Sequence, residues 1–280
     1  MTPSLTIEDV FENVQTGTAT YGVVPFENSS NGAVVFTLDL FADRARKYSS
    51  IQVCGENYLS VHHCLLGRRG PNAPSGGQQQ QLEDISHVTS LHSHPQAWGQ
   101  CKRFLGKHLK GIDRIDETST SAAAAYVASD KTGKSAAVCS VLAAEVYGLD
   151  ILAKNIEDES KNQTRFLVLR KGQDDSADSR VFNNITENKQ QPSWKSLLTF
   201  TVSSHSHAGA LADALGVFKA HGINLTSINT RPSGEVNWQY IFFVEFSGRK
   251  GDENVNQALA EIKNVVGQMR FLGSWRSRTN

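Results

Sequence analysis

The sequence predicts a protein of two parts, an α/β region followed by a smaller α+β region, and three observations support this. With 280 residues, the chain is long enough for two domains that each bury a core. Apolar runs alternate with helical periodicity up to residue 171, whereas residues 194–280 show a regular succession of strands and helices. Residues 172–193 between them are polar, which predicts an inter-domain linker.

The predicted elements of the first region follow an α/β order. Its strands are short apolar runs, and its helices place apolar residues three or four positions apart. The predicted strands cover 21–25, 51–66 and 167–169, and the predicted helices cover 32–48, 95–109, 122–129 and 140–147. Such alternation is typical of a sheet covered by helices. A Gly-, Pro- and Gln-rich stretch at 68–81 predicts a surface loop.

The second region is shorter and more regular. The predicted strands cover 196–203, 223–229, 240–246 and 269–272, and the predicted helices cover 208–221 and 254–266. Gly222 follows the first of these helices as a C-cap signal. The order βαββαβ is the split-βαβ or ferredoxin-like arrangement.

Composition excludes several classes of partner. Lys and Arg together number 28, as do Asp and Glu, so we expect no nucleic-acid or polybasic membrane surface. No apolar run approaches the roughly 20 residues of a membrane span, and residues 1–15 lack a signal-peptide or transit-peptide pattern. The four cysteines form no Cys-x-x-Cys pair, which is typical of free thiols in a reducing compartment. We therefore expect a cytoplasmic location.

The most informative segment is 162–166, which reads Asn-Gln-Thr-Arg-Phe and leads into the predicted strand 167–169. A polar cluster that enters a buried strand must satisfy its hydrogen bonds locally or face a ligand. The segment offers two amides, a hydroxyl and a guanidinium but no carboxylate. That composition favours an anionic partner over a metal ion.

Three predicted helix starts, at 29–32, 93–96 and 118–121, each supply Ser or Thr hydroxyls and free backbone N–H groups. The free N–H groups and partial positive charge of a helix N-terminus attract anions, so several converging starts would bind a small polyanion. Each start alone has a simpler interpretation as a helix cap, and Ser93 with Gln96 forms an S-x-x-Q capping box. The presence of all three beside segment 162–166 favours a site.

Histidines offer no comparable case for a metal. The close pairs are at 62 and 63, 92 and 94, and 205 and 207. None has the His-Glu-x-x-His form or a carboxylate at ligand spacing. We predict surface or hydrogen-bonded histidines and no metal site.

Taken together, the motifs of the first region resemble those of the prephenate dehydratase family. Each motif is weak alone, but together and in the family's order they are specific. They are Gly-Val-Val-Pro-Phe-Glu-Asn-Ser at 22–29, Ser-His-Pro-Gln-Ala at 93–97 with Gln-Cys at 100–101, Thr-Ser-Thr at 118–120 with alanines at 122–124, Tyr-Gly-Leu at 147–149 with Asn-Ile-Glu-Asp at 155–158, and segment 162–166.

The second region resembles the ACT regulatory domain that follows in this family. Gly-Ala-Leu at 209–211 matches the effector-loop motif, and Thr-Arg-Pro-Ser at 230–233 follows Gly-Ile-Asn-Leu at 222–225. The resemblance implies phenylalanine as the effector and a homodimer or homotetramer built by paired ACT domains. The implied effector-binding residues are Gly209, Ala210, Leu211, Asn229, Thr230, Arg231 and Pro232.

The resemblance implies a fold and domain boundaries. The catalytic domain would occupy 1–171 and be similar to type II periplasmic binding proteins, with two α/β lobes around a cleft and lobe two at about 87–150. Residues 172–193 would be the linker and 194–280 the ACT domain.

The resemblance also implies an activity, the conversion of prephenate to phenylpyruvate with loss of carbon dioxide and water, on the route to phenylalanine. No metal or organic cofactor is expected, because aromatisation of the ring drives the reaction and a positioned donor suffices. Thr164 would assist the leaving hydroxyl by hydrogen-bond donation. The implied substrate-binding residues are Asn28, Ser29, Ser93, Gln96, Ser119, Thr120, Gln163 and Arg165.

In the extended segment 162–166, Arg165 and Phe166 are expected to have roles different from that of Thr164. In a strand Arg165 would point to the opposite side, which makes a structural ion pair the alternative to a substrate contact. We expect Phe166 to pack in the core beneath the site.

Two features depart from the family pattern. Members usually begin with a strand and a Gly-Pro-x-Gly-Thr turn that lines the cleft, whereas this sequence starts at the helix that should follow, predicted at 6–14. We therefore expect turnover to need that element, and its loss to expose an apolar sheet edge. In the second domain Asn229 and Thr230 stand where Glu-Ser is usual, and Ala208 stands in place of Pro, so the effector response is expected to differ.

Two other classes compete with the enzyme. A catalytically inactive sensor of aromatic amino acids is favoured by the missing N-terminal element and disfavoured by the retained Gln163 and Thr164. A solute-binding protein fits the lobe architecture but needs a signal peptide.

Overall fold

The computed structural model describes residues 3–70, 82–172, 193–202 and 208–278. The helices are α1 (Ile7–Thr16), α2 (Val35–Ala42), α3 (Pro95–Gln100), α4 (Lys102–His108), α5 (Thr120–Ser129), α6 (Val141–Tyr147), α7 (Ala210–Ala220) and α8 (Glu253–Ile262). The strands are β1 (Tyr21–Asn28), β2 (Gly32–Ala33), β3 (Ile51–Ser60), β4 (Cys64–Gly67), β5 (Ser90–Ser93), β6 (Asp113–Asp116), β7 (Ser135–Cys139), β8 (Asp150–Ala153), β9 (Gln163–Lys171), β10 (Trp194–Thr201), β11 (Leu225–Pro232), β12 (Tyr240–Ser247) and β13 (Met269–Arg276).

The chain forms two compact units. The first comprises Met1–Leu59 and Thr164–Asn280, and the second comprises Ser60–Gln163, which includes the segment 87–150 predicted as lobe two. Within the described ranges, no helix has both the length and the apolar character that crossing a membrane requires. The predicted linker falls almost entirely outside the described residues, as does most of the predicted loop 68–81.

One sheet of the first unit has the strand order β2-β1-β9-β3. β1 runs antiparallel to β9, which sets Asn28 opposite Thr164. Helix α1 covers the sheet with the buried side chains of Phe11 and Val14. β2 pairs with β1 only near Asn28, so in the described ranges most of that edge of β1 has no strand beside it.

The other sheet of the first unit is antiparallel, in the order β11-β12-β10-β13. Its chain order, β10-α7-β11-β12-α8-β13, confirms the predicted βαββαβ arrangement. One face packs on α7 and α8 through side chains that include Leu198 and Phe246. The other face, with Phe243 and Trp275, shares a core with the first sheet. Because both faces are covered, β10 is buried along nearly its whole length.

The second unit holds a five-stranded sheet in the order β6-β5-β7-β4-β8. β5 runs parallel to β6 and β7, whereas β4 is antiparallel to β7 and β8. Helices α3 and α4 contribute to the core on one face, and α5 and α6 contribute to the core on the other. This arrangement brings the carboxyl ends of β5 and β6 side by side.

Several predicted elements were placed wrongly. The helix predicted at 32–48 is only α2, and the Ser-rich turn at 29–32 leads into β2 instead of opening a helix. Asn28 explains the difference, because its side-chain carbonyl accepts the backbone N–H groups of Ser30 and Asn31 and turns the chain there. The helix predicted at 95–109 is broken at Cys101 into α3 and α4.

The sequence did not predict strands β5 to β8. Each has four or five residues, too short for a clear period of two. β7 is buried at every position and reads Ser-Ala-Ala-Val-Cys, which has no alternation to detect. β6 is exposed throughout and charged at three of its four positions, so only its parallel pairing with β5 defines it.

Candidate active site

The central contact of the first unit joins Asn28 to Thr164. The Asn28 Nδ2 donates to the Thr164 Oγ1 at 3.1 Å. The orientation of the amide is fixed, because the Asn28 Oδ1 accepts the N–H groups of Ser30 and Asn31 at 3.0 and 2.9 Å. The Thr164 oxygen therefore accepts from Asn28 and keeps its own proton for another acceptor.

A β-bulge lies beside this pair. The register of β1 on β9 shifts between Pro25 and Glu27, so Phe26 is the extra residue. Bulges redirect side chains and often accompany functional sites. Here the shift aligns Asn28 with Thr164 and leaves the Phe26 ring 5.5 Å from the Arg165 guanidinium.

Arg165 lies on the other face of β9 from Thr164, as strand alternation predicts. Thr164 is half-buried, whereas the Arg165 side chain is only 7% exposed. Its guanidinium contacts the Glu56 Oε2 at 2.6 Å and also pairs with Glu245. The ion-pair alternative is therefore the one the geometry favours. Phe166 is half-buried and does not belong to the core clusters of the described residues, contrary to our expectation.

The electrostatics of this cluster follow from burial and pairing. Burial by itself would lower the pKa of Arg165, but the charges of Glu245 and Glu56 outweigh it and raise that pKa. Burial by itself would raise the pKa of Glu56, yet Arg165, the Arg278 N–H and Lys195 together hold it below its usual value. Both shifts favour the charged forms of Arg165 and Glu56.

The second unit gathers the other predicted polar residues at one edge of its sheet. Ser93 ends β5 and lies opposite Asp116 at the end of β6. Ser119 and Thr120 follow β6 directly, and Gln96 follows β5. The carboxyl ends of parallel strands are where α/β proteins bind ligands.

The predicted capping box at 93–96 is wrong. His94 is the N-cap of α3, and its Nδ1 accepts the Gln96 N–H at 3.3 Å. Ser93 is fully buried, and its Oγ instead donates to the Val138 carbonyl on β7 at 2.7 Å. Ser119 does cap α5, accepting the Ala122 N–H at 3.0 Å.

Two predicted residues are more exposed. Gln163 begins β9, and its amide lies 3.5 Å from the Ser60 hydroxyl. Ser29 is exposed in the turn that Asn28 organises. Both are at the surface of their own unit.

The predicted effector residues divide between the start of α7 and β11. Gly209 is the N-cap of α7 with a φ of 97°, and Ala210 is buried. On β11, Arg231 makes two hydrogen bonds to Asp39, at 2.8 and 3.0 Å. The Pro232 carbonyl accepts from Arg44 at 2.7 and 3.1 Å. Burial by itself would raise the pKa of Asp39, but its bonds to Arg231 and Arg44 hold that pKa below its ordinary value.

The remaining effector residues add little polar contact. Leu211 packs against the core between α7, α8 and the sheet β11-β12-β10-β13. Thr230 is exposed, and the Asn229 amide donates to the Ser227 hydroxyl at 3.2 Å. Residues 203–207, just ahead of the Gly-Ala-Leu motif, lie outside the described part of the chain.

The arrangement around Thr164 suits a reaction that needs hydrogen-bond donors to stabilise developing charge. Among the described residues, His, Cys, Asp and Glu form no group of three that could hold a metal ion. The Asn28 amide donates a hydrogen bond to the Thr164 oxygen. A hydroxyl oriented in this way can stabilise a leaving oxygen.

Sequence reasoning missed Glu56 and Glu245, the partners of Arg165. Glu245 lies within the apolar run 240–246, and Glu56 occupies a buried position in β3. A single carboxylate inside an apolar strand is a usable signal, since buried charges require a partner. The identity of that partner depends on the tertiary fold.

The chain matches two family models. The prephenate dehydratase model matches residues 1–174, and the ACT domain model matches residues 198–264. The bifunctional chorismate mutase/prephenate dehydratase of Aquifex aeolicus is 37% identical over 274 residues, covering 98% of this chain and 66% of that protein. The chain thus spans about two thirds of the length of the curated relatives that it matches.

Two solved structures are similar over almost the whole chain. The prephenate dehydratase of Arthrobacter aurescens in complex with L-Phe has a TM-score of 0.78 at 27% identity, covering 98% of this chain and 80% of that one. GqqA, described as a novel type of quorum quenching acylase, has a TM-score of 0.77 at 26% identity, covering 99% and 89%. The predicted class, a type II periplasmic-binding-protein-like catalytic fold with an ACT domain, is confirmed.

Proposed function

Because the chain belongs to the prephenate dehydratase family, we propose that it converts prephenate to phenylpyruvate, carbon dioxide and water. The observation that carries the proposal is the Asn28 amide donating to the Thr164 oxygen at 3.1 Å. It leaves the hydroxyl proton of Thr164 free for a substrate oxygen. The proposal applies to the phenylalanine-forming step of aromatic amino-acid biosynthesis.

In the proposed mechanism, loss of the carboxylate as carbon dioxide and of the ring hydroxyl as water makes the ring aromatic. The hydroxyl leaves as water only if it gains a proton as the carbon–oxygen bond breaks. Thr164 donates a hydrogen bond to that oxygen in the transition state, where negative charge develops. A threonine hydroxyl is too weak an acid to supply that proton, so in the proposed step the proton comes from solvent water and Thr164 only stabilises the leaving oxygen.

We propose that the other polar residues hold the substrate. Gln96, Ser119, Thr120 and Gln163 would contact the prephenate carboxylates and ring, as would Asn28 and Ser29. Ser93 would support the end of β5, because its buried hydroxyl already donates to the Val138 carbonyl. A buried guanidinium already paired with two carboxylates is poorly suited to bind substrate, so Arg165 would have a supporting role. No metal or cofactor enters the proposed reaction.

The test is replacement of the Thr164 hydroxyl. We expect Thr164→Ala to lower kcat by about 10²- to 10³-fold with little change in KM, as for the loss of one transition-state donor. Thr164→Ser retains the hydroxyl and is the matched control, expected to keep most of the rate. Phenylpyruvate formation is measured on this chain and on the chain preceded by a family Gly-Pro-x-Gly-Thr segment. Normal turnover by Thr164→Ala would remove Thr164 from the mechanism.

We further propose that phenylalanine regulates the enzyme through the ACT domain, as a cytoplasmic homodimer or homotetramer. The ACT match and the L-Phe complex of the similar Arthrobacter enzyme support the effector. The four free cysteines fit a reducing compartment. Calorimetry with phenylalanine and light scattering test both points, and a monomer that binds no phenylalanine contradicts them.

The similarity to GqqA makes acylase activity a second candidate. Assays with prephenate and with acylated quorum-sensing signals, run on the same preparation, separate the two functions. The alternative of an inactive sensor gains no support, since the relatives named above are all described as enzymes or enzyme complexes.

A further inference from the structure

A buried network of four charged side chains connects β9, the strand of Thr164, to the sheet β11-β12-β10-β13, which we call the ACT sheet. Arg165 on β9 pairs with Glu56 on β3 and with Glu245 on β12. Lys195 on β10 lies 3.6 Å from each carboxylate. The two positive and two negative charges balance, and none of the four side chains is more than 11% exposed.

Each carboxylate in this network is held at both oxygens. The Glu56 Oε1 accepts the Arg278 N–H at 2.8 Å, while its Oε2 contacts Arg165. The Glu245 Oε1 accepts from the Thr226 hydroxyl on β11 at 2.6 Å, while its Oε2 contacts Arg165. The buried Nε of Arg165 has no hydrogen-bond partner among the described residues, but the contacts of its guanidinium with both carboxylates still define where it lies.

Thr164 and Arg165 are consecutive residues, so the position of one constrains the other. Alternation along β9 directs Thr164 toward Asn28 and Arg165 into the network. The Phe26 bulge lies against Arg165, which links the geometry of β1 to the same guanidinium. A shift of Arg165 would therefore change the distance between Asn28 and Thr164.

We propose that Glu245 is a positioning residue for Thr164, acting through Arg165, and that the ACT sheet influences catalysis through this contact. The inference rests on the proposed function and extends it to regulation. Thr226, which holds Glu245, is three residues before Asn229, the first of the expected effector residues on β11. A change in β11 on effector binding would reach Thr164 by way of Thr226, Glu245 and Arg165.

The experiment compares Glu245→Gln with the wild-type protein. Gln has nearly the same volume but cannot balance the Arg165 charge, so we expect kcat to fall about 10- to 100-fold while KM stays within about threefold. Glu261→Gln, the same exchange at an exposed glutamate on α8, is the control and should retain wild-type kcat. Thermal unfolding identifies the folded variants. A folded Glu245→Gln protein with wild-type kcat would overturn the inference.

A milder variant covers the case in which Glu245→Gln does not fold. Thr226→Val retains both carboxylates and removes only the hydrogen bond to the Glu245 Oε1. We expect kcat to fall about three- to tenfold and saturating phenylalanine to change kcat less than in the wild type. An unaltered kcat together with an unaltered phenylalanine response would refute the proposed route.

The outcomes separate this inference from the function on which it rests. A wild-type protein that forms no phenylpyruvate refutes the proposed function, and the inference falls with it. A wild-type protein that turns over normally, with Glu245→Gln and Thr226→Val equally active, refutes the inference alone. A decrease in kcat at constant KM supports both.

Discussion

Asn28 fixes the direction of a hydrogen bond that a hydroxyl alone would leave open. A threonine hydroxyl can donate or accept, so its role depends on its neighbours. The Asn28 Oδ1 is occupied by two backbone N–H groups, and only the amide donor faces Thr164. The sequence indicated both residues through their motifs, whereas the polarity of the contact depends on the turn at 29–32.

This polarity predicts the effect of Asn28→Asp. The carboxylate would still accept from Ser30 and Asn31, but it would present an acceptor to Thr164 and draw the hydroxyl proton away from substrate. We expect a loss of kcat close to that of Thr164→Ala, about 10²- to 10³-fold. The double variant should lose little more, because the two residues act as a unit.

Steady-state assays of the two single variants and the double variant measure this coupling. Asn264→Asp makes the same chemical change at an exposed turn and should leave kcat unaltered. Additive losses would mean that Asn28 acts on the substrate independently of Thr164.

At the scale of elements, β13 and β3 approach each other so closely that one position excludes a side chain. Gly273 has a φ of 136°, and a Cβ there would lie 2.1 Å from the Val53 carbonyl oxygen. Both the backbone conformation and the contact with backbone atoms require glycine. The register of β10 on β13 also shifts next to this glycine, between Leu197 and Leu198.

We therefore expect Gly273→Ala to lower the free energy of unfolding by about 3 kcal/mol. Gly216 provides a matched control, because it lies within α7 and a Cβ there meets nothing within 4 Å. Gly216→Ala should raise stability by about 0.5–1 kcal/mol through helix propensity. Denaturant unfolding of both variants measures the difference, and equal effects would contradict the close approach of β13 to β3.

At the scale of the whole molecule, the first unit is built from segments far apart in sequence. Leu197, Phe243, Leu272 and Trp275 of the C-terminal sheet share a core with residues of the N-terminal sheet, such as Phe26. The buried charge network lies between the same two sheets. The stability of this unit should therefore depend on pH through Glu56.

The folded-state pKa of Glu56 lies below its ordinary value of 4.5. A carboxylate with a lowered pKa stabilises the fold above about pH 4.5, and this contribution is lost as the pH falls through the lowered pKa. We expect unfolding free energy to drop in acid, and Glu56→Gln to flatten that drop. Denaturant unfolding from neutral pH to about pH 3 measures both slopes, with exposed Glu253→Gln expected to retain the wild-type slope. Identical slopes for Glu56→Gln and wild type would contradict the role of Glu56.

The sequence by itself determined the order of the domains, the βαββαβ pattern and the family. These depend on local periodicity and on motifs that can be recognised without knowledge of tertiary contacts. It also determined that Arg165 faces away from Thr164, because alternation is a property of any strand. Short strands such as β6 and β7 could not be predicted from the sequence, because strand pairing and not periodicity defines them.

Only the tertiary structure decided what segment 162–166 contacts. It brought Asn28 across from Thr164, 136 residues apart in sequence, and it surrounded Arg165 with Glu56 and Glu245. A buried charge signals that a partner exists but not which residue it is, because distant segments come together only when their apolar faces share a core. For the same reason the sequence could indicate Thr164 as a candidate, whereas the direction of its hydrogen bond with Asn28 depends on the tertiary structure.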